Sequence, residues 1–161
     1  MSSAGIMCFS NTHVLAGVQK YKKRQIGGFG GKCESVDADF RDTAIREFLE
    51  ELFNIRATPT LAACVEPFLS NPTYVASHDY AIFFITLADL ELILENLTYA
   101  GAKSPYYPDG FPRTVSRLIL DRSAKVNGEI SRVLLLSRQD IAANKIRNMS
   151  AYFRTDLDLI K

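Results

Sequence analysis

Glu47, Glu50 and Glu51 lie three and four residues apart, with Arg46 immediately before the first of them. If this stretch is helical, that spacing puts all three carboxylates on one side. Like charges stacked this way destabilise a helix by roughly a few tenths of a kcal/mol per pair unless something positive sits among them. A divalent cation meets that need. Magnesium takes hard oxygen ligands, keeps several waters, and is commonly held by a few carboxylates together with substrate phosphates. An isolated Glu-x-x-Glu-Glu is ordinarily a solvated acidic face. Here the glycine-dense stretch Gly27, Gly28, Phe29, Gly30, Gly31 and Lys32 comes just before it. Residues without side chains let backbone amides and carbonyls approach a metal or a phosphate closely.

The element carrying the carboxylates is the clearest in the chain. Ile45, Phe48, Leu49 and Leu52 recur at i, i+3, i+4 and i+7, which predicts an amphipathic helix over Phe40–Phe53 with its apolar stripe turned away from the acidic row. Asp39 is its N-cap, with Asp42 three positions on as a variant of the capping box. Asn54 is the natural stop, because asparagine tolerates the left-handed conformation that closes many helices. Before the helix, Gly5–Phe9 and Val14–Val18 are apolar runs separated by Ser10, Asn11 and Thr12, which predicts a hairpin. The basic run from Lys20 to Arg24 and the glycine stretch both read as loop.

After the helix, Leu61–Phe68 and Tyr80–Leu87 are apolar and aromatic and are expected as strands, followed by a helix over Asp89–Leu97. Residues 98–128, with Pro105, Pro108 and Pro112, are expected to form a long irregular excursion, with Val115–Leu120 as a possible strand. Ile130–Leu136 is expected as the last core strand, with terminal helical segments at about Arg138–Lys145 and Ala151–Ile160. This alternation predicts an α/β fold, a mixed sheet covered on both faces.

At 161 residues the chain fits one domain, which at this size hides roughly two thirds of its unfolded surface. The formal net charge is +1, so no whole-molecule field draws it to nucleic acid or membrane, and any anion binding must be local. Cys8, Cys33 and Cys64 form an odd set without CxxC spacing, which points to free thiols in a reducing compartment and so to the cytoplasm. The longest apolar stretch, Tyr80–Leu90, is short and interrupted by Thr86 and Asp89, so no membrane span is expected. His13 and His78 have no serine or cysteine partner suggesting a triad and are expected at the surface.

Taken together, Gly30-Gly31-Lys32-Cys33-Glu34, Asp39 to Glu47, and Arg46-Glu47-Phe48-Leu49-Glu50-Glu51 resemble the Nudix box over about residues 27–55. The resemblance implies a Nudix-like α/β/α sandwich and a hydrolase that uses Mg²⁺, with Mn²⁺ as a substitute, to cut a pyrophosphate linkage. It implies Glu47, Glu50 and Glu51 as metal ligands, completed by the Gly31 carbonyl, with Arg46 orienting the carboxylates through charge-assisted hydrogen bonds. The general base would be Glu47, or an acidic residue from a later loop such as Glu129. The sequence departs from the pattern in two places. One extra residue stands between Gly31 and Arg46, where the usual loop glutamate is replaced by Asp37 beside Ala38, and the closing glycine is replaced by Phe53-Asn54.

The resemblance implies a nucleoside diphosphate derivative as substrate, with a modified nucleoside triphosphate first and capped RNA, ADP-ribose or a dinucleotide as alternatives. A non-catalytic nucleotide sensor is the reading from a different class. Lys20, Lys22, Lys23 and Arg24 are candidates to hold terminal phosphates, Gly30 and Lys32 to line the phosphate loop, and Tyr106, Tyr107 and Phe111 to stack on a base. A homodimer is expected from the apolar Ile82–Leu87 run and the long excursion.

Overall fold

The computed structural model describes residues 2–75, 79–123 and 128–161. The chain begins with the expected hairpin, β1 (Ser3–Phe9) and β2 (His13–Gln19), which pair antiparallel through Phe9 and Val14. Beyond that point the two strands diverge and take other partners. The short β3 (Ile26–Gly27) pairs with β2, while β4 (Phe29–Lys32) runs antiparallel to β1 with Ala4 opposite Gly31 and Gly5 opposite Gly30.

The glycine stretch is therefore not loop but largely strand, which corrects the expectation from composition. The reason lies in its partner. A Cβ on Gly30 would sit 2.7 Å from the Ala4 carbonyl oxygen and 2.8 Å from the Gly5 Cα, so the two backbones pass too closely for any side chain there.

Next comes α1 (Phe40–Phe53), bounded as expected. Asp39 accepts from the Asp42 N–H at 2.9 Å, and Asn54 closes the helix at φ 53°. The reciprocal bond of a capping box is displaced by one residue, since the Asp42 carboxylate accepts from the Ala38 N–H at 3.0 Å and not from Asp39. Two expected strands are corrected to helix. Within Leu61–Phe68 the chain forms the end of α2 (Pro59–Ala62) and a 3₁₀ turn at Glu66–Phe68. The Thr58 side chain accepts from the Leu61 N–H while Pro59 occupies the first turn, a helix start that outweighs apolar content. Likewise α4 (Val115–Leu120) is capped by Thr114 accepting from Arg117, and it buries Val115 and Leu118, three residues apart on one face.

The remaining elements are β5 (Thr73–Val75), which the sequence did not signal, β6 (Tyr80–Thr86), α3 (Leu87–Tyr99), β7 (Ile130–Ser137), α5 (Arg138–Ala142) and α6 (Ala151–Leu157). α3 starts on a full capping box, Thr86 and Asp89 exchanging side-chain to backbone bonds. The described strands form one seven-stranded mixed sheet. β1 pairs parallel with β6 over Ser3–Phe9, β6 carries β5 antiparallel at its far edge, and β7 pairs antiparallel with β2.

Alternation along β1 divides the core in two. Ala4, Ile6 and Cys8 join Phe48, Leu49 and Leu52 of α1 and Leu90, Ile93, Leu94 and Leu97 of α3 on one face. Met7 joins Val14, Ile82, Leu136, and Phe153 and Leu157 of α6 on the other. The result is the α/β/α sandwich expected. Cys8, Cys33 and Cys64 are free thiols, and no described helix is long and apolar enough to cross a membrane.

Candidate active site

The acidic row of α1 faces a cleft of about 370 Å³. Glu47, Glu50 and Glu51 line one wall, and Glu129, just before β7, lines another. Asn54, Ile55 and Arg56 at the end of α1, with Tyr106 and Gly128, complete the described lining.

Arg46 does not open into this space. Its side chain is 8% exposed and is held on every nitrogen. Nε and Nη2 donate to Asp37 Oδ1 and Oδ2 at 3.0 and 2.9 Å, a bidentate fork, and Nη2 also donates to the Lys32 carbonyl at 2.8 Å. Nη1 donates to Glu47 Oε1 at 2.7 Å and more distantly to Glu50 Oε2 at 3.4 Å. Asp37, 3% exposed, is fixed in turn by the Thr43 hydroxyl and the Glu34 N–H, each at 2.9 Å. The Arg46 guanidinium holds the Asp37 carboxyl below its ordinary range. Asp37 is therefore the loop carboxylate that meets Arg46.

Gly31 is occupied closely from above. A Cβ there would lie 2.4 to 2.6 Å from the carboxyl atoms of Glu47, so only glycine lets that carboxylate rest on β4. Burial pushes the Glu47 and Glu50 carboxyls up, Arg46 opposes this, and Glu129 adds to the rise in both. Glu129 is thus near enough to be felt by two residues of the α1 row.

The other sequence candidates fall out differently. The Lys20 N–H donates to the Glu129 carbonyl at 2.7 Å, which sets the Lys20 backbone beside that of Glu129. Lys22, Lys23 and Arg24 form a 3₁₀ turn whose Lys23 and Arg24 carbonyls are held by the Asn148 side chain. Lys20, Lys23 and Arg24 are not among the described residues that line the cleft, and the Lys22 side chain lies outside what is described. Gly30 packs against β1, and Lys32 contributes its carbonyl to Arg46 while its side chain is exposed. Tyr106 and Tyr107 are buried and the half-buried Phe111 packs against Phe53, so these aromatics anchor the excursion to the core. His13 bonds Thr12 in the hairpin turn, and His78 lies outside the described residues. Arg56 was missed, and its only sequence signal is its position two residues beyond the helix stop.

The side-chain donors are all carboxylate oxygens, which suits a hard divalent cation, and such a cation would relieve the crowding of Glu47, Glu50 and Glu129. Among the described residues no three His, Cys, Asp or Glu side chains converge as a ready cage, since Glu47 and Glu50 are turned toward Arg46.

No family model matches the chain, and no curated protein matches it in sequence. Among solved structures, a bifunctional NMN adenylyltransferase/ADP ribose pyrophosphatase from Francisella tularensis, complexed with AMP and a Mn ion, aligns with a TM-score of 0.57 and 14% identity. That alignment covers 98% of this chain and 40% of the other, so this chain spans well under half of that protein's length. A NUDIX hydrolase from Nitrosomonas europaea aligns with a TM-score of 0.50 and 16% identity over 96% of this chain and 66% of the other. The fold is that of the Nudix hydrolases. The resemblance carried by the motif over residues 27–55 thus extends, at the level of fold, to nearly the whole chain.

Proposed function

We propose that the chain is a Nudix hydrolase that uses a divalent cation, Mg²⁺ or Mn²⁺, to cleave a phosphoanhydride bond in a nucleoside diphosphate derivative. The observation that carries this reading is the meeting of Glu47, Glu50, Glu51 and Glu129 in one cleft beside Gly31. Glu47, Glu50 and Glu51, with the Gly31 carbonyl, would hold the cation, which supplies charge neutralisation on the diphosphate oxygens and a more acidic water. Arg46, locked by Asp37 and the Lys32 carbonyl, orients Glu47 and Glu50 and opposes the upward push of burial on their carboxyls. In this reading Glu47 accepts the proton of the attacking water at a carboxylate oxygen as the water oxygen bonds to phosphorus. The bridging P–O bond breaks, and the electron pair leaves with the departing phosphate. Glu129 is the alternative base.

A nucleoside triphosphate is the leading substrate, and Lys20, whose backbone N–H bonds the Glu129 carbonyl, is the member of the basic run tied directly to a residue of the cleft. ADP-ribose is the second, favoured by the structural likeness to a protein whose activity includes ADP-ribose pyrophosphatase. A non-catalytic nucleotide sensor is the reading from a different class, and the turning of Glu47 and Glu50 onto Arg46 is the observation in its favour. We further propose that residues 1–161 act as one domain in the cytoplasm, with self-association as a homodimer.

The test is incubation with nucleoside triphosphates, ADP-ribose, dinucleoside polyphosphates and capped RNA, with Mg²⁺ or Mn²⁺, and identification of the products. Glu50→Gln should abolish turnover without altering the thermal melt. Full activity in that variant would overturn the metal assignment, and binding without cleavage in the wild type would favour the sensor.

A further inference from the structure

The cleft presents a charge problem to any anionic substrate. Four carboxylates line it, and the guanidinium most prominent in sequence, Arg46, has every nitrogen committed to Asp37, Lys32 and Glu47. Among the described lining residues one cation is left, Arg56.

Its placement is determined by the end of α1. Asn54, in the left-handed conformation, donates its N–H to the Glu50 carbonyl at 2.9 Å, and the Ile55 N–H reaches the Leu49 carbonyl at 3.2 Å. Ile55 is buried in the core beneath. The backbone leading into Arg56 is thus clamped to the same helix end that carries Glu50 and Glu51. Arg56 itself is exposed and makes no hydrogen bond or ion pair with a described residue. A cation at a helix C-terminus is favoured by the dipole alone, but that accounts for its charge and not for its place in the lining of this cleft.

We propose that Arg56 binds a phosphate of the substrate beyond the scissile diphosphate, and so selects substrates that carry a third phosphate. This rests on the hydrolase reading above. A cation on the α1 row would offset the scissile diphosphate, whereas a further phosphate finds no other positive group among the described lining residues. The guanidinium fork matches a phosphate with two parallel hydrogen bonds. The aromatic side chain of the lining, Tyr106, is 1% exposed, so recognition at this end of the cleft is by charge and not by stacking.

Wild type, Arg56→Ala and Arg56→Lys are compared with Mg²⁺ for kcat and KM on a nucleoside triphosphate and on ADP-ribose, which has only two phosphates. In parallel, a non-hydrolysable nucleoside triphosphate analogue is titrated calorimetrically. Loss of one charged hydrogen-bonded contact should weaken analogue binding in Arg56→Ala and raise the triphosphate KM by roughly ten- to a hundredfold. The KM for ADP-ribose should change far less, and Arg56→Lys should fall between the two, because an ammonium keeps the charge but not the fork. An unchanged ratio of triphosphate to ADP-ribose efficiency overturns the proposal. If the wild type cleaves neither substrate, the hydrolase reading fails and the titration still decides. Equal affinity of wild type and Arg56→Ala, or no binding by either, then overturns the role of Arg56, and weaker binding by the variant upholds it.

Discussion

Replacing Asp37 by asparagine removes a charge from the most heavily bonded carboxylate of the site. Asp37 accepts two bonds from Arg46 and one each from Thr43 and Glu34, and its side chain is 3% exposed. An asparagine there would turn an N–H₂ donor toward one of those donors and leave the buried guanidinium short of half its fork. Breaking a buried ion pair by removing one partner costs about 3–5 kcal/mol. The lower end, about 3 kcal/mol, is expected because Glu47 and the Lys32 carbonyl still hold Arg46. The assay is chemical denaturation of wild type, Asp37→Asn, Arg46→Met and the double variant, read as midpoint and slope. The double-mutant cycle should give a coupling of about 2 kcal/mol or more, since these residues share one network. The pH dependence has a definite sign. The Asp37 carboxyl is lowered in the folded state, so its stabilisation is present above the unfolded value near 3.9 and fades as pH falls through the folded value. Asp37→Asn should therefore lose its deficit relative to wild type only in acid. A coupling below about 0.5 kcal/mol, within the additivity expected of independent sites, would refute the argument that Asp37 anchors Arg46.

Two further outcomes follow from the geometry. Gly31→Ala forces the Glu47 carboxylate off its seat on β4, and because the displaced group is the end of a flexible side chain, the melt should barely move while turnover falls by at least about tenfold. Asp156 on α6 is 9% exposed, and burial pushes its carboxyl up to about 6. A raised carboxyl favours the protonated folded state, so its contribution is most favourable below the unfolded value near 3.9 and is lost as pH rises toward 6. Asp156→Asn should then stabilise the protein by about 1–3 kcal/mol at pH 7.5 and by little at pH 4, measured by denaturation at both values.

What could be read along the chain was what is decided within a few residues. α1 is specified by its own stripe, by Asp39 at one end and by Asn54 at the other, so the alignment of Glu47, Glu50 and Glu51 was legible at once. The hairpin, β6, α3 and β7 were legible for the same reason, each having a periodic apolar run with turn or cap residues at its ends. Apolar content without its caps does not distinguish strand from helix. Thr58-Pro59 and Thr114 start helices in segments expected as strands, and their signals were equally local.

Other features depend on partners far away in sequence. Gly30 and Gly31 belong to a strand because β1, nearly thirty residues earlier, comes close enough to pair. Asp37 matters because it meets Arg46 across a turn, and Tyr107 is core because Phe53 and the Leu118 carbonyl are there to receive it. Glu129 joins the site only because β7 pairs with β2 and delivers it opposite α1. The sequence by itself determined which carboxylates share one helix face, since a helix period is a local property. Tertiary structure alone decided which distant residues close the cleft around them, because that depends on how a sheet brings together strands more than a hundred residues apart.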